Sequence, residues 1–215
     1  MISRAFVLAA AFLAAASFVS AQTTAPATQP ASTTVETVVF LRHGEKPAAG
    51  LGQLTPQGLN RALALATVLP KKFGKPDFIF APDPAALVYD YGSEFSYIRP
   101  LATIEPLAIR LQMPVQTPFG YKDIDKLDAE LAKPKYARAT IFVAWEHGYA
   151  AIGAADLLKI FGNNSDVPKW PGRDYDSLYI IKITRAPGAR PIATFIHDHE
   201  GLNGQSTQMP APAPK

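Results

Sequence analysis

A 215-residue chain with no cysteine holds no disulfide framework, no thiolate nucleophile and no site for a cysteine-linked lipid anchor. Its 21 basic and 18 acidic residues leave a formal charge of +3. No basic cluster is interleaved with aromatics, which argues against nucleic acid as a partner.

The N-terminus reads as a secretory signal over residues 1–21. Met1-Ile2-Ser3-Arg4 is a short basic start, Ala5 to Val19 an alanine-rich apolar run, and Val19-Ser20-Ala21 a small-residue ending, with cleavage expected after Ala21. A membrane span needs about 20 strongly apolar residues, so an uncleaved anchor is the lesser alternative. A secreted or periplasmic location is expected, without stable membrane insertion once the signal is gone. Residues 22–34 carry no charge, no aromatic and no periodicity, and read as a disordered tether; residues 205–215 read as a disordered tail. Residues 35–204 then make one domain of about 170 residues, enough for a single sizeable core.

From Glu36 to Leu41 the chain is a nearly continuous β-branched, apolar run, the pattern of a short strand buried on both faces. It ends in Arg42-His43-Gly44-Glu45. Thr55-Pro56 opens a helix, with Thr as N-cap and Pro at the first helical position. Leu59, Ala62, Leu63, Ala66 and Leu69 follow at helical spacing until Pro70. Asp77 to Ala81 is a second strand, and residues 82–98 read as a long loop with Pro, Gly, Ser and several aromatics. Helices are predicted over Arg99–Leu111 and Ile124–Ala132, a third buried strand over Ala139–Trp145, and a further helix from about Ala150 to Phe161. Ser177–Ile183 and Ile192–His197 are the last strands. Helices alternating with short buried strands predict a three-layer α/β/α sandwich.

Ligands of such sheets bind beyond the carboxyl ends of the strands. There the first and third strands deliver Arg42-His43-Gly44 and Glu146-His147-Gly148, so two histidines are expected at one rim. Arg99 opens a helix, where unpaired N–H groups and the helix dipole already favour an anion.

Four ordered pieces carry a resemblance to a known family. Leu41-Arg42-His43-Gly44-Glu45 followed by Leu54-Thr55-x-x-Gly58-x-x-Arg61-Ala62 is similar to the opening signature of the histidine phosphatases. The segment Arg99-Pro100-Leu101-x-Thr103-x-Glu105-Pro106-Leu107-Ala108 resembles the one that carries the family's second arginine. Trp145-Glu146-His147-Gly148 resembles the one with its second histidine. The likeness runs from about Val38 to Tyr179. It implies a phosphoglycerate mutase-like fold, with a mostly parallel sheet and an antiparallel edge.

By this resemblance the catalytic residues are Arg42, His43, Arg99 and His147, and the reaction is hydrolysis of a small phosphorylated substrate, a phosphomonoester, through a phosphohistidine on His43, without metal or cofactor. The chemistry fits the residue types. A phosphoryl group in flight spreads negative charge over three oxygens, and planar guanidinium forks match it bidentately. His43 must attack as neutral imidazole, which two nearby guanidiniums favour. His147 is suited to donate to a phosphate oxygen.

Some relatives place an acid directly after the second histidine, where this chain has Gly148. Glu146, Asp83 and Glu94, with Asp90, are the candidates for proton donor to the leaving group. Glu146 is expected to aim away from the pocket if the strand persists through it. Glu45 and Tyr97 are candidate pocket residues. His197-Asp198-His199-Glu200 alternates histidine with carboxylate, which either ligates a metal or is a polar strand end, the latter being the expectation. A non-catalytic anion-binding module of the same fold, or a phosphomutase, are the alternatives to a phosphatase. Substrate identity and oligomeric state are not legible.

Overall fold

The computed structural model describes residues 32–211. The expected signal and all but the last three residues of the expected tether lie outside the described residues. In chain order the elements are β1 (Thr34–Arg42), α1 (Pro56–Phe73), β2 (Phe78–Phe80), β3 (Leu87–Asp90), β4 (Ser93–Ser96), α2 (Arg99–Leu111), α3 (Ile124–Leu131), β5 (Thr140–Trp145), α4 (His147–Ile160), β6 (Ser177–Arg185) and β7 (Ile192–His199). A single 3₁₀ turn, Pro134–Tyr136, precedes β5.

Five strands form one sheet in the order β2-β5-β1-β6-β7. β5 runs parallel to both β1 and β2, whereas β6 runs antiparallel to β1 and β7. Four of the five strands therefore point the same way. Alternation along β1 sorts the core into two layers. Val38 and Phe40 pack with Ile124, Leu127 and Leu131 of α3 and with Leu157 and Leu158 of α4. Val39 and Leu41 pack on the other face with Leu65 and Leu69 of α1 and Ile104 and Leu107 of α2. The expected three-layer α/β/α sandwich is what the chain adopts.

Three local differences from the sequence reading have physical causes. α1 runs through Pro70 to Phe73; near a helix end a proline forfeits a single hydrogen bond, while Leu69 beside it is fully buried. The expected loop 82–98 contains a hairpin, β3 paired with β4 from Leu87↔Ser96 to Asp90↔Ser93. Its turn residues Tyr91 and Gly92 both have positive φ, as a tight two-residue hairpin turn of type I′ requires. α4 starts at His147, because the Glu146 side chain accepts from the N–H groups of Gly148 and Tyr149 and caps the helix three residues earlier than expected. At the C-terminus residues 205–211 have no helix or strand. They are nonetheless tied to α1, where Asn60 Nδ2 donates to the carbonyls of Ser206 and Gln208 at 2.8 and 2.7 Å.

Candidate active site

Parallel pairing of β1 with β5 puts Arg42 opposite Trp145, so the two chain segments leave the sheet side by side. The His43 N–H donates to the Trp145 carbonyl at 3.1 Å and extends the ladder by one residue. Behind His43, the Gly44 N–H donates to Thr103 Oγ1 at 2.9 Å, and that hydroxyl donates to the Arg99 carbonyl at 2.8 Å. One side chain thus joins the end of β1 to the first turn of α2. The turn also needs glycine: a Cβ on Gly44 would lie 2.8 Å from the Gly58 carbonyl oxygen, and one on Gly58 would lie 2.5 Å from that of Glu45.

His43 is buried, and its Nδ1 lies 2.8 Å from the Gly44 carbonyl oxygen. A carbonyl only accepts, so Nδ1 carries the proton and Nε2 keeps the lone pair. Burial, and then the Arg42 charge, push the imidazole pKa down to about 3; the Gly44 carbonyl opposes the shift and Arg99 adds to it. The ring is therefore neutral throughout the physiological range. Tyr97 and Tyr175 stand edge-on to it, each with its ring centroid 6.1 Å away.

Arg42 and Arg99 flank the ring, 2% and 3% exposed. Arg42 Nη1 donates to the Gly172 and Asp174 carbonyls, both at 2.8 Å, with its guanidinium 3.7 Å from the centroid of the Tyr175 ring. Arg99 Nη1 donates to Asp90 Oδ2 at 2.5 Å and to the Gly50 carbonyl at 3.3 Å, and its guanidinium lies 4.8 Å from the centroid of Tyr97. Each guanidinium is held by one nitrogen. Arg42 Nε, Arg99 Nε and the Tyr97 hydroxyl are buried without a partner among the described residues. Tyr97 keeps its proton, since burial raises its pKa well above the phenolic range. Buried donors left unpaired are costly, and three of them stand beside one neutral imidazole, donors of the kind an anion would pair.

His147 opens α4 on the same rim and is the most exposed of the four resemblance-derived residues, at 26%. Its Nδ1 lies against Glu146 Oε1. A Cβ on Gly172, whose carbonyl holds Arg42, would lie 3.5 Å from His147 Nε2. Glu146 does not point away, as continued strand geometry would have required, because β5 ends at Trp145. Its negative charge reaches His43, Arg42 and Tyr97. Burial alone would raise the Glu146 pKa, but bonding to His147 and to the Tyr149 and Gly148 N–H groups outweighs burial and leaves it below the usual range. Glu146 is thus an ionised cap that orients His147, a poor proton donor.

The other candidate acids fare no better. Asp83 accepts from the Ala85 N–H at 2.9 Å and caps a turn. Glu94 is exposed on β4. Asp90 holds Arg99, Lys46 and the Gly52 N–H; burial opposes, but these contacts keep its pKa below the ordinary value. Its placement by the β3–β4 hairpin was hidden with the hairpin itself. Glu45 is engaged in a buried network: Arg61 bonds Glu45 at 2.8 Å, Glu200 at 2.5 Å and Asp176 at 3.4 Å. In the His197–Glu200 run the two histidine rings stay side by side, their centroids 4.9 Å apart, while the two carboxylates turn elsewhere. His197 Nε2 meets Ser177 Oγ at 2.8 Å, Asp198 pairs with Lys72 at 2.9 Å, and Glu200 turns inward to Arg61. Among the described residues no three His, Asp or Glu side chains are grouped to hold a metal.

No protein-family profile matches this chain, and no curated protein does. Solved structures do. The protein histidine phosphatase SixA, complexed with tungstate, aligns over 76% of this chain and 97% of its own, with a TM-score of 0.51 and 17% identity. The chain has the histidine phosphatase fold. A mycobacterial glucosyl-3-phosphoglycerate phosphatase in complex with inorganic phosphate aligns over 75% of this chain and 95% of its own, with a TM-score of 0.49 and 20% identity. A phosphoglycerate mutase from Bacillus anthracis covers 80% and 95%, with a TM-score of 0.47 and 12% identity. At such identities the likeness is one of fold, and what this chain does rests on its own site.

Proposed function

We propose that this chain is an exported phosphatase of the histidine phosphatase superfamily, hydrolysing a phosphomonoester through a phosphohistidine on His43. The observation that carries the reading is the neutral, buried imidazole beside three buried donors without partners among the described residues, Arg42 Nε, Arg99 Nε and the Tyr97 hydroxyl. A tetrahedral anion satisfies all three. The guanidiniums meet charge spread over its equatorial oxygens. Nε2 of His43 forms a bond to phosphorus as the ester P–O bond breaks, and the leaving oxygen takes that electron pair. Water then attacks phosphorus, the N–P bond breaks, and its pair returns to His43, while the water's proton passes through solvent to the departed alcoholate, giving the alcohol and inorganic phosphate. His147, oriented by Glu146, donates to a phosphate oxygen.

The test is covalent trapping. Wild-type protein lacking residues 1–21, quenched during turnover of a labelled aryl phosphate, retains acid-labile phosphate; His43→Ala retains none and loses at least about a thousandfold in turnover. Undiminished turnover by His43→Ala removes the nucleophile and the reading with it. A non-catalytic anion binder would bind phosphate yet take no label. Export is supported by the basic, apolar and small-residue pattern of residues 1–21, and is checked by N-terminal sequencing of the exported protein, expected to begin at Gln22.

A further inference from the structure

Beside the anion receptor, α4 and the segment before β6 enclose a groove of about 430 Å³. Ala151, Ile152 and Ala155 of α4 form one wall, and Val167, Pro168 and Trp170 the other. These helix positions recur three and four residues apart and so share one face. Ile152 is 48% exposed, a large apolar side chain on a helix face left open by the described residues. His147 closes one end of the groove and Lys169 stands on its wall; every other side chain lining it is apolar.

Two facts connect this groove to the receptor. Arg42, His43 and Arg99 are almost wholly buried while His147 is not, so solvent reaches the four-residue set at His147, where the groove begins. That end also abuts Gly172, whose carbonyl anchors Arg42. We infer that the groove is the leaving-group subsite, and that the substrates are phosphate esters of apolar, aromatic alcohols and not of polyols. This deepens the phosphatase reading and rests on it.

A polyol would bring several hydroxyls against walls that are carbon except at Lys169 and His147, leaving most of them without partners, a penalty that disfavours it. An aromatic ring loses nothing there, and a volume of this size suits one or two rings. The chemistry at the other end agrees. Glu146 is ionised and capping α4, Asp90 is ion-paired, Asp83 caps a turn and Glu94 is exposed. With Glu146, Asp90 and Asp83 engaged and Glu94 out in solvent on β4, the favoured substrate is one whose leaving oxygen accepts the P–O electron pair unaided. A phenolate, stable near pH 10, does this; an alkoxide needs a proton. The loose transition state of phosphoryl transfer, with its P–O bond largely broken, makes that difference large.

The experiment compares 1-naphthyl phosphate, phenyl phosphate and glycerol 2-phosphate, first on the wild type and then on Ala155→Phe, which fills the groove, and Ile152→Asp, which makes its wall polar. The first two esters have similar leaving groups and differ in ring size, which separates the groove from leaving-group acidity. Wild type is expected to show kcat/KM for naphthyl over phenyl phosphate larger on the order of tenfold, with glycerol 2-phosphate far behind both. Either variant erases the naphthyl advantage, lowering kcat/KM for 1-naphthyl phosphate on the order of tenfold more than for phenyl phosphate, while an unchanged far-UV circular dichroism spectrum and urea midpoint report that the variant is folded. Equal naphthyl and phenyl values in wild type, or a uniform loss on both esters in the variants, overturns the subsite. If wild type hydrolyses none of the three, the phosphatase reading falls, and calorimetric titration still decides the subsite. Binding of 1-naphthyl phosphate tighter than inorganic phosphate on the order of tenfold, lost in Ala155→Phe, upholds the groove; equal binding overturns it.

Discussion

Arg99 reaches the site already paired, and its partner says what its job is. Asp90 grips Nη1 at 2.5 Å and also accepts from the Gly52 N–H, so the guanidinium is fixed through Nη1, with its carbon 4.8 Å from the Tyr97 ring centroid and its Nε left unpaired among the described residues. A carboxylate there weakens the positive field but removes the freedom of a long side chain. In phosphoryl transfer, where catalysis is mostly positioning, the second effect dominates. Asp90→Asn keeps the shape and loses the charge-assisted grip. Its kcat is expected to fall about tenfold while inhibition by inorganic phosphate stays equal or tightens, because a freed guanidinium still attracts an anion. Steady-state kinetics with phosphate as inhibitor reads both quantities, and unchanged kcat would show that Arg99 holds its pose without help. Position 90 was only one of several acids in an aromatic-rich segment when read as sequence; its meaning came from the hairpin that carries it.

Elements with strong periodicity were legible, and those whose signal lies in contacts were not. β1, α2, α3 and β5 match the predicted spans within about two residues at each end, because buried runs and a 3.6-residue period are properties of the string itself. The β3–β4 hairpin was missed because its positive-φ pair is Tyr91-Gly92, where asparagine or aspartate before glycine is the usual signal. The early start of α4 was missed because Glu caps few helices, although Glu146 meets two N–H groups here. At the site, the histidines and arginines were named by pattern, while the roles of Glu146 and Asp90 depend on which way side chains turn. The pairing of Gly44 with Gly58 shows the same limit. Both glycines belonged to the motif, yet only the fold reveals that they touch. At Gly58→Ala the added Cβ would sit 2.5 Å from the Glu45 carbonyl oxygen, forcing α1 from the His43 turn. A loss of about 1–3 kcal/mol in urea unfolding is expected, together with reduced phosphohistidine formation. A variant as stable as wild type would mean that the close approach relaxes freely.

Across the whole molecule, buried carboxylates tie stability to pH, and Asp128 gives the cleanest case. It lies on α3 against α4, 1% exposed, and neither carboxyl oxygen has a partner among the described residues. Burial, then the charges of Asp156 and Asp125, push its pKa up to about 8. In the unfolded chain the same group titrates near 4. Below about 4 both states hold the proton and its contribution does not change with pH. Between about 4 and 8 the unfolded state has released a proton that the native state keeps, so each pH unit favours unfolding by about 1.4 kcal/mol. Above 8 both states are ionised and the loss is complete. Glu36 and Glu200, raised chiefly by burial to about 7 and about 8, act in the same direction. His43, held neutral, acts in the opposite direction below its ordinary pKa. All three remain in an Asp128→Asn variant, so subtracting the wild-type stability from that of the variant isolates residue 128. That difference is expected to be smallest near pH 4.5 and to grow in favour of the variant as pH rises to 8, read from urea unfolding at several pH values. A difference independent of pH would mean that Asp128 is ionised in the fold, with its charge met by water between α3 and α4.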